Sequence, residues 1–367
     1  MINEIYELNY GPHHPSTHGV LRLILTLSGE DVIGCEPVIG YLHRGVEKII
    51  EKKKFISIIP YVDRLDYLSS LIMEHSYAIA LEKLNHTEVP LRARFIRTIL
   101  DELTRISSHL MSIGSMTYDL GCLSLFLYGI EEREKIMDIF DEITGARMHQ
   151  AYYVPGGVLR DLEQNAIELI EKFIDGLDGY YEAVQKLALE NRIFQKRTKG
   201  IGIISEELAL ASGISGVNLR ASGIDYDIRN RQPYGVYDLL NFQALTLLAG
   251  DSYSRIYLRF LEIQQSSELI RRGLDGLPSG RYSAEEFNPI IRVPPKSTVY
   301  APVEGPRGEF GIHMMTDGDG LRPHRMHFKA TSFGIVQLIP RLVIGAKLAD
   351  CTAILGSLDF LLGDCDR

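Results

Sequence analysis

Hydrophobic and polar positions alternate near the start of the chain. Leu21, Leu23, Leu25 and Leu27 fall on one side of an extended segment, with Arg22, Ile24 and Thr26 on the other. Ser28-Gly29-Glu30-Asp31 is a turn signal, and Val32–Ile39 returns as a second strand, so a β-hairpin is predicted. After Gly45 the spacing becomes helical. Helices are predicted over about Val46–Ile58, Val62–Leu84, Leu91–Ile113, Ile130–Ile143, Leu162–Glu190 and Tyr253–Arg272, punctuated by Pro60, Pro90 and Gly145. From Val293 onward the pattern is mixed, with strands near Ser297–Val303 and His324–Ala330 and an apolar helix over Phe333–Lys347. These elements define an α+β chain with three parts: an N-terminal β region over 1–45, a long-helix core over 46–290, and a mixed α/β segment over 291–367. The last packs on the core as one interleaved unit, unlike an alternating parallel βαβ fold.

Composition narrows the function classes. Apolar residues make up 45% and charged residues 24% of 367, as in ordinary globular chains. A formal net charge of -9 argues against a broad nucleic-acid-binding surface and against adhesion to anionic lipid. The start has no basic region followed by an apolar stretch, so no signal peptide is expected. The longest apolar region, Phe333 to Leu362, is interrupted by Gln337, Pro340, Arg341, Lys347, Asp350 and Asp359, which argues against a membrane-spanning helix. Any work at a membrane would then depend on a partner. The four cysteines, Cys35, Cys122, Cys351 and Cys365, form no CxxC pair. That disfavours a disulfide framework or a self-contained zinc or iron–sulfur site and fits a reducing compartment. GxGxxG, P-loop, GxSxG and HExxH motifs are absent, and the acidic run at Asp317 and Asp319 lacks the glutamate that closes an EF-hand.

Candidate chemistry lies in a few short segments. The loop GPHHPSTHG at Gly11–Gly19 places His13, His14 and His18 within six residues. Three readings stay open: imidazoles bonded to a Gly/Pro backbone, metal ligands, or a ligand-binding loop using one histidine as donor or proton carrier. Pro15 opposes a helical face joining His14 and His18, and no cysteine or carboxylate in the loop completes a metal site. On the predicted Val62–Leu84 helix, Arg64, Tyr67 and Leu71 would share a face, either as a polar pair on an apolar surface or as a core tyrosine beside a surface arginine. Asp119 falls between two predicted helices and reads as a cap or turn residue. His149, after the Gly145 break, reads as a loop histidine. The residues by themselves point to proton handling without specifying a reaction.

Longer blocks supply a resemblance. GPHHPSTHGVLRL at Gly11–Leu23, GYLHRGVEK at Gly40–Lys48, RLDYLSS at Arg64–Ser70, LRASGIDYDIR at Leu219–Arg229, RGEFG at Arg307–Gly311 and LGSLDFLLGDCDR at Leu355–Arg367 run in order along the chain. Together they resemble the D-subunit family of respiratory complex I, which is similar in fold to the large subunit of nickel–iron hydrogenases. The hydrogenase metal is held by two CxxC pairs; the corresponding regions here, GYLHRGVEK and SLDFLLGDCDR, contain only Cys365. Cys365 stands where the family often has an aliphatic residue, Asp364 where it usually has glutamate, and the segment between Arg271 and Val299 is short.

The resemblance implies a quinone substrate bound between this chain and an iron–sulfur subunit that supplies the cluster, with no cofactor held covalently here. His18 and Tyr67 would hydrogen-bond the two quinone oxygens, and Asp119 would pair with His18. Arg44, Arg64 and His149 would lie near the partner's cluster. The implied partners are the complex I subunits B, C, I and H, of which B is the iron–sulfur neighbour and H lies in the membrane. The implied location is peripheral, on the cytoplasmic face of a bacterial inner membrane. The donor, whether NADH, ferredoxin or a deazaflavin, would be bound by other subunits. The competing reading is a non-catalytic scaffold that docks iron–sulfur and membrane subunits.

Overall fold

The computed structural model describes residues 5–13, 19–284 and 290–367. The histidine-loop positions His14 and His18 lie outside the described residues. Strands β1 (Ile5–Tyr10), β2 (Arg22–Ser28) and β3 (Asp31–Val38) form an antiparallel sheet in that order. Leu21, Leu23, Leu25 and Leu27 are all fully buried, as the alternation requires. They pack against the later helices α13 (Thr331–Val343) and α14 (Leu348–Leu358), with Ile335, Ile339, Val343 and Leu358 in the shared core. Chain ends far apart in sequence therefore build one layer.

The middle of the molecule is a helical stack. Short helices α1 (Val46–Ile50) and α2 (Ile59–Val62) lead into α3 (Ser70–Asn85). The longest helix, α4 (Leu91–Asp119), packs against α5 (Leu123–Thr144) and α12 (Ser252–Asp275). A two-stranded ribbon, β4 (Tyr153–Val154) and β5 (Gly157–Val158), precedes α6 (Gln164–Asp175) and α7 (Asp178–Val184). Four further short helices, α8 (Arg192–Thr198), α9 (Glu206–Ala211), α10 (Gly216–Arg220) and α11 (Ile228–Arg231), carry the chain to α12. A second antiparallel sheet, β6 (Thr298–Gly305), β7 (Gly308–Thr316) and β8 (Pro323–Lys329), lies on α3. The chain closes with α15 (Leu362–Cys365).

Several predicted boundaries are corrected. The Val46–Ile58 helix is only α1, followed by a turn and a 3-10 turn over Phe55–Ser57; Pro60 sits in the first turn of α2, where its missing N–H costs nothing. The Val62–Leu84 helix begins at Ser70, so Arg64, Tyr67 and Leu71 do not share a helical face. Asp119 is the last residue of α4, which runs a turn and a half beyond its predicted end, and α5 starts seven residues earlier than Ile130. The Leu162–Glu190 helix breaks near Gly176 into α6, α7 and a π-helical turn over Gln185–Leu189. The Phe333–Lys347 helix stops at Val343, and α14 and the central strand β7 were not foreseen.

Charged side chains also point inward. Arg97 and Arg105 on α4, Arg255 and Arg259 on α12, and Arg220 and Arg307 are all almost fully buried. Each needs partners, because an unpaired buried charge is strongly destabilising. Arg220 meets Glu304 and Glu262 at 2.7 Å and Asp227 at 3.1 Å; Arg229 meets Asp227 at 2.8 Å and Glu102 at 3.2 Å. This ionic core joins α4, α10, α11, α12 and β6.

Candidate functional site

Tyr67 lies in the irregular segment between α2 and α3, and a single buried arginine fixes that segment. Asp66 accepts the Leu68 N–H at 3.1 Å, closing a local turn, and pairs with Arg307 at 2.9 Å. Arg307, from the tight β6–β7 turn, also donates to Ser108 Oγ on α4 at 3.1 Å and to Asp359 at the end of α14 at 3.1 Å. It thereby ties the Tyr67 segment to α4 and to the C-terminal region. On the other side of this segment Gly363 packs so closely that a Cβ there would lie 2.5 Å from the Leu65 carbonyl oxygen. Only glycine allows that approach.

Beside Tyr67 is a cavity of about 180 Å³. Its walls include Tyr67, Arg307 and Phe360, together with Met111, Ser112 and Ser115 from the last turns of α4. Tyr67 keeps 38% of its surface open, and burial of the remainder raises its hydroxyl pKa above the ordinary tyrosine value. The phenol is therefore a neutral donor at physiological pH. Asp119 is four residues beyond Ser115, so it stands one helical turn further along the same face. Tyr67 and the Met111–Ser115 stretch of α4 thus meet at one cavity although far apart in sequence, and Asp119 lies one turn beyond the part of α4 that lines it. The third residue of the expected set, His18, lies outside the described residues.

A second group adjoins the Tyr67 segment. Arg64 donates to the Pro60 carbonyl at 2.9 Å and to Asp63 at 3.0 Å. Asp63 is buried, and desolvation raises its pKa, opposed by the charges of Arg64 and His149. His149 Nδ1 lies 3.3 Å from Ser70 Oγ, at the start of α3. Arg64 and His149 are thus gathered around Asp63. The sequence did not single out Glu74, which accepts N–H bonds from Ala151 and Tyr152 at 2.8 Å and from Tyr153 at 3.1 Å. Burial pushes this carboxyl up to about 8, with the three amides pulling against it. An acidic residue set in the largely apolar run Leu71–Leu81 was the available signal.

Arg44 occupies a different loop. Asp366 organises that loop, accepting the Gly40 and Leu42 N–H groups at 2.9 Å, while its carbonyl lies 2.7 Å from His43 Nδ1. Among the described residues, no hydrogen bond or ion pair joins Arg44 to the Asp63 group. The same contacts bring GYLHRG and the C-terminal Asp-Cys-Asp-Arg run together. Burial pushes the Cys365 thiol up to about 12, so it is protonated rather than a thiolate. Among the described residues, no group of three or more His, Cys, Asp or Glu side chains is placed to hold a metal ion, and no helix is long and apolar enough to cross a membrane.

Comparison with known proteins agrees with this architecture. The family described as the respiratory-chain NADH dehydrogenase 49 kDa subunit matches residues 119–293 and 291–367. The chain is 42% identical over 363 residues to a protein of Desulforamulus reducens, covering 99% of this chain and 98% of that protein. It is 42% identical over 365 residues to one of Dehalococcoides mccartyi, covering 99% of each. A protein of Wolbachia pipientis is 41% identical over 383 residues, covering 98% of each. All three relatives are named as the D subunit of NADH-quinone oxidoreductase. The chain belongs to the family of the 49 kDa subunit of respiratory-chain NADH dehydrogenase.

Proposed function

We propose that the chain is a core peripheral-arm subunit of a proton-pumping complex I and forms the quinone-reduction site with the adjacent iron–sulfur subunit. The observation that carries this is the 180 Å³ cavity with the neutral Tyr67 hydroxyl in its wall and Asp119 one helical turn beyond Ser115. A dry cavity of about 150 Å³ is enough to bind benzene in another protein, so this volume suits the head ring of a quinone.

Quinone reduction consumes two electrons and two protons, one proton at each oxygen. Electrons arrive from the partner's cluster, and NADH, the donor in the relatives' names, is oxidised on other subunits. Tyr67 donates a hydrogen bond to one quinone oxygen and His18 to the other, each stabilising the negative charge that develops there and each able to deliver a proton. Asp119 sits at the negative end of the α4 dipole, an electrostatic setting that favours a cationic neighbour. Pairing with it keeps His18 protonated until the quinone takes the proton. The carboxylate then left uncompensated supplies the drive for rearrangement and proton translocation. Arg44, Arg64 and His149 face the cluster without ligating it. The chain docks on subunits B, C and I and on the membrane-embedded neighbour H, at the cytoplasmic face of the membrane.

Tyr67→Phe in the assembled complex tests the reading. It removes one donor and leaves the ring, so quinone reduction is expected to fall by roughly 10²–10³-fold, the cost of deleting one donor to a developing oxyanion. The complex should assemble normally. Full activity per assembled complex would sink the catalytic assignment and favour the scaffold reading.

A further inference from the structure

The loop that carries His149 is held in a costly conformation. His149 has φ 57° and Ala151 φ 46°, so two non-glycine residues occupy the left-handed region within three positions. Such backbone persists only where its surroundings impose it. The contact of the imidazole itself, 3.3 Å to Ser70 Oγ, is long for a hydrogen bond and does little to impose anything.

Glu74 provides the constraint. It follows Ser70 by four residues on α3, so both side chains stand on one helical face, toward the loop. Its Oε1 takes the Ala151 N–H, and its Oε2 takes those of Tyr152 and Tyr153. Three consecutive amides thus converge on one fully buried carboxyl. Beyond them the chain is anchored again: Tyr152 donates to the Arg160 carbonyl at 2.6 Å and Tyr153 to Asp101 at 3.0 Å. The segment from residue 151 onward is therefore rigid, and His149 stands at its free edge beside Asp63 and Arg64.

We infer that Glu74 is a positioning residue for His149, holding the 149–153 loop so that the imidazole is presented to the neighbouring subunit's cluster. The inference rests on the reading that His149 faces that cluster. Glutamine cannot reproduce the contact, because its NH2 group cannot accept and at least one of the three amides would meet a donor. Aspartate keeps two accepting oxygens but falls one methylene short.

The test is a redox titration of the cluster nearest this chain in intact complexes carrying Glu74→Gln, Glu74→Asp or His149→Ala. A purely structural role for Glu74 would not move the midpoint potential in an assembled complex; loss of the imidazole's placement would. The expected result is that His149→Ala shifts the potential and Glu74→Gln shifts it in the same direction by at least half as much, with Glu74→Asp smaller. If Glu74→Gln fails to assemble, Glu74→Asp is judged by direction alone. A shift in His149→Ala with wild-type potentials in both Glu74 variants overturns the inference and leaves the parent reading standing. An unmoved potential in His149→Ala overturns both.

Discussion

Replacing Arg307 with methionine removes the side chain that ties the Tyr67 segment to the rest of the site. In the native arrangement Arg307 stands between Asp66 at 2.9 Å and Asp359 at 3.1 Å, with Arg259 a further 3.5 Å from Asp359. After substitution Asp359 keeps Arg259, whereas the Asp66 side chain keeps, among the described residues, only the Leu68 N–H. The loss therefore falls on one carboxylate that is almost completely buried. Breaking a buried pair in this way costs about 3–5 kcal/mol, more than a hundredfold in an equilibrium constant. Neutralising the stranded group should recover much of that, so Arg307→Met with Asp66→Asn is expected to be clearly less damaged than the sum of the two single variants. Thermal inactivation of the assembled complex reads the stability, and KM for a short-chain quinone reads the placement of Tyr67. Both should deteriorate in Arg307→Met, with the double variant regaining stability more than affinity. An Arg307→Met complex with native stability and native KM, or a double variant whose losses simply add, would refute the reasoning.

Gly363→Ala puts a methyl group 2.5 Å from the Leu65 carbonyl oxygen, so the C-terminal segment and the Tyr67 turn must separate. Reduced quinone affinity is expected in a complex of normal subunit composition, measured as KM. Glu74 supplies a pH prediction. Its folded pKa, up at about 8 against the ordinary 4.5, means that the native state holds a proton the unfolded chain releases. Its contribution to stability is therefore fully present below pH 4.5 and is lost as pH rises through about 8. Resistance to thermal inactivation should fall more between pH 5 and 8 in the wild type than in Glu74→Gln, and parallel curves would contradict the assignment.

The sequence pattern was most informative where one face meets water. The alternation at Leu21–Leu27 and the caps at Pro90 and Gly145 correspond to observed elements because each has a local cause. Strand β7 escaped because it is buried on both faces over most of its length, which erases the period of two. The Arg64–Tyr67 stretch looked helical because its spacing allows a helix. Its turn is imposed from outside, by Arg307 and by the approach of Gly363. Charge was the least legible feature. Positions such as Arg97, Asp101, Glu102 and Arg105 on α4 would normally mark a solvent face, yet all four are buried; Arg97, Asp101 and Glu102 pair with other elements, and Arg105 pairs with Glu102 and donates to the Glu304 carbonyl.

The candidate site follows the same division. Arg64 and Tyr67 lie in the RLDYLSS block, whereas Asp119 and His149 were expected at the site only as the resemblance implies. Arg307 and Gly363 also lie in recognisable blocks, but their contacts with the Tyr67 segment, like those of Glu74 with residues 151–153, become visible only when the chain is folded. Arg307 and Gly363 hold the Tyr67 wall of the cavity, and Glu74 holds a loop outside it. Asp66 and Arg307 fix the Tyr67 turn, Glu74 fixes the His149 loop, and Asp366 fixes the Arg44 loop through two backbone amides. In each case a buried or half-buried acidic side chain satisfies groups of an irregular segment that regular secondary structure would have satisfied internally. Irregular backbone at the site is thus stabilised by acidic side chains on neighbouring elements. This accounts for both the mistaken helix at Arg64–Tyr67 and the unexpected abundance of buried charge around it.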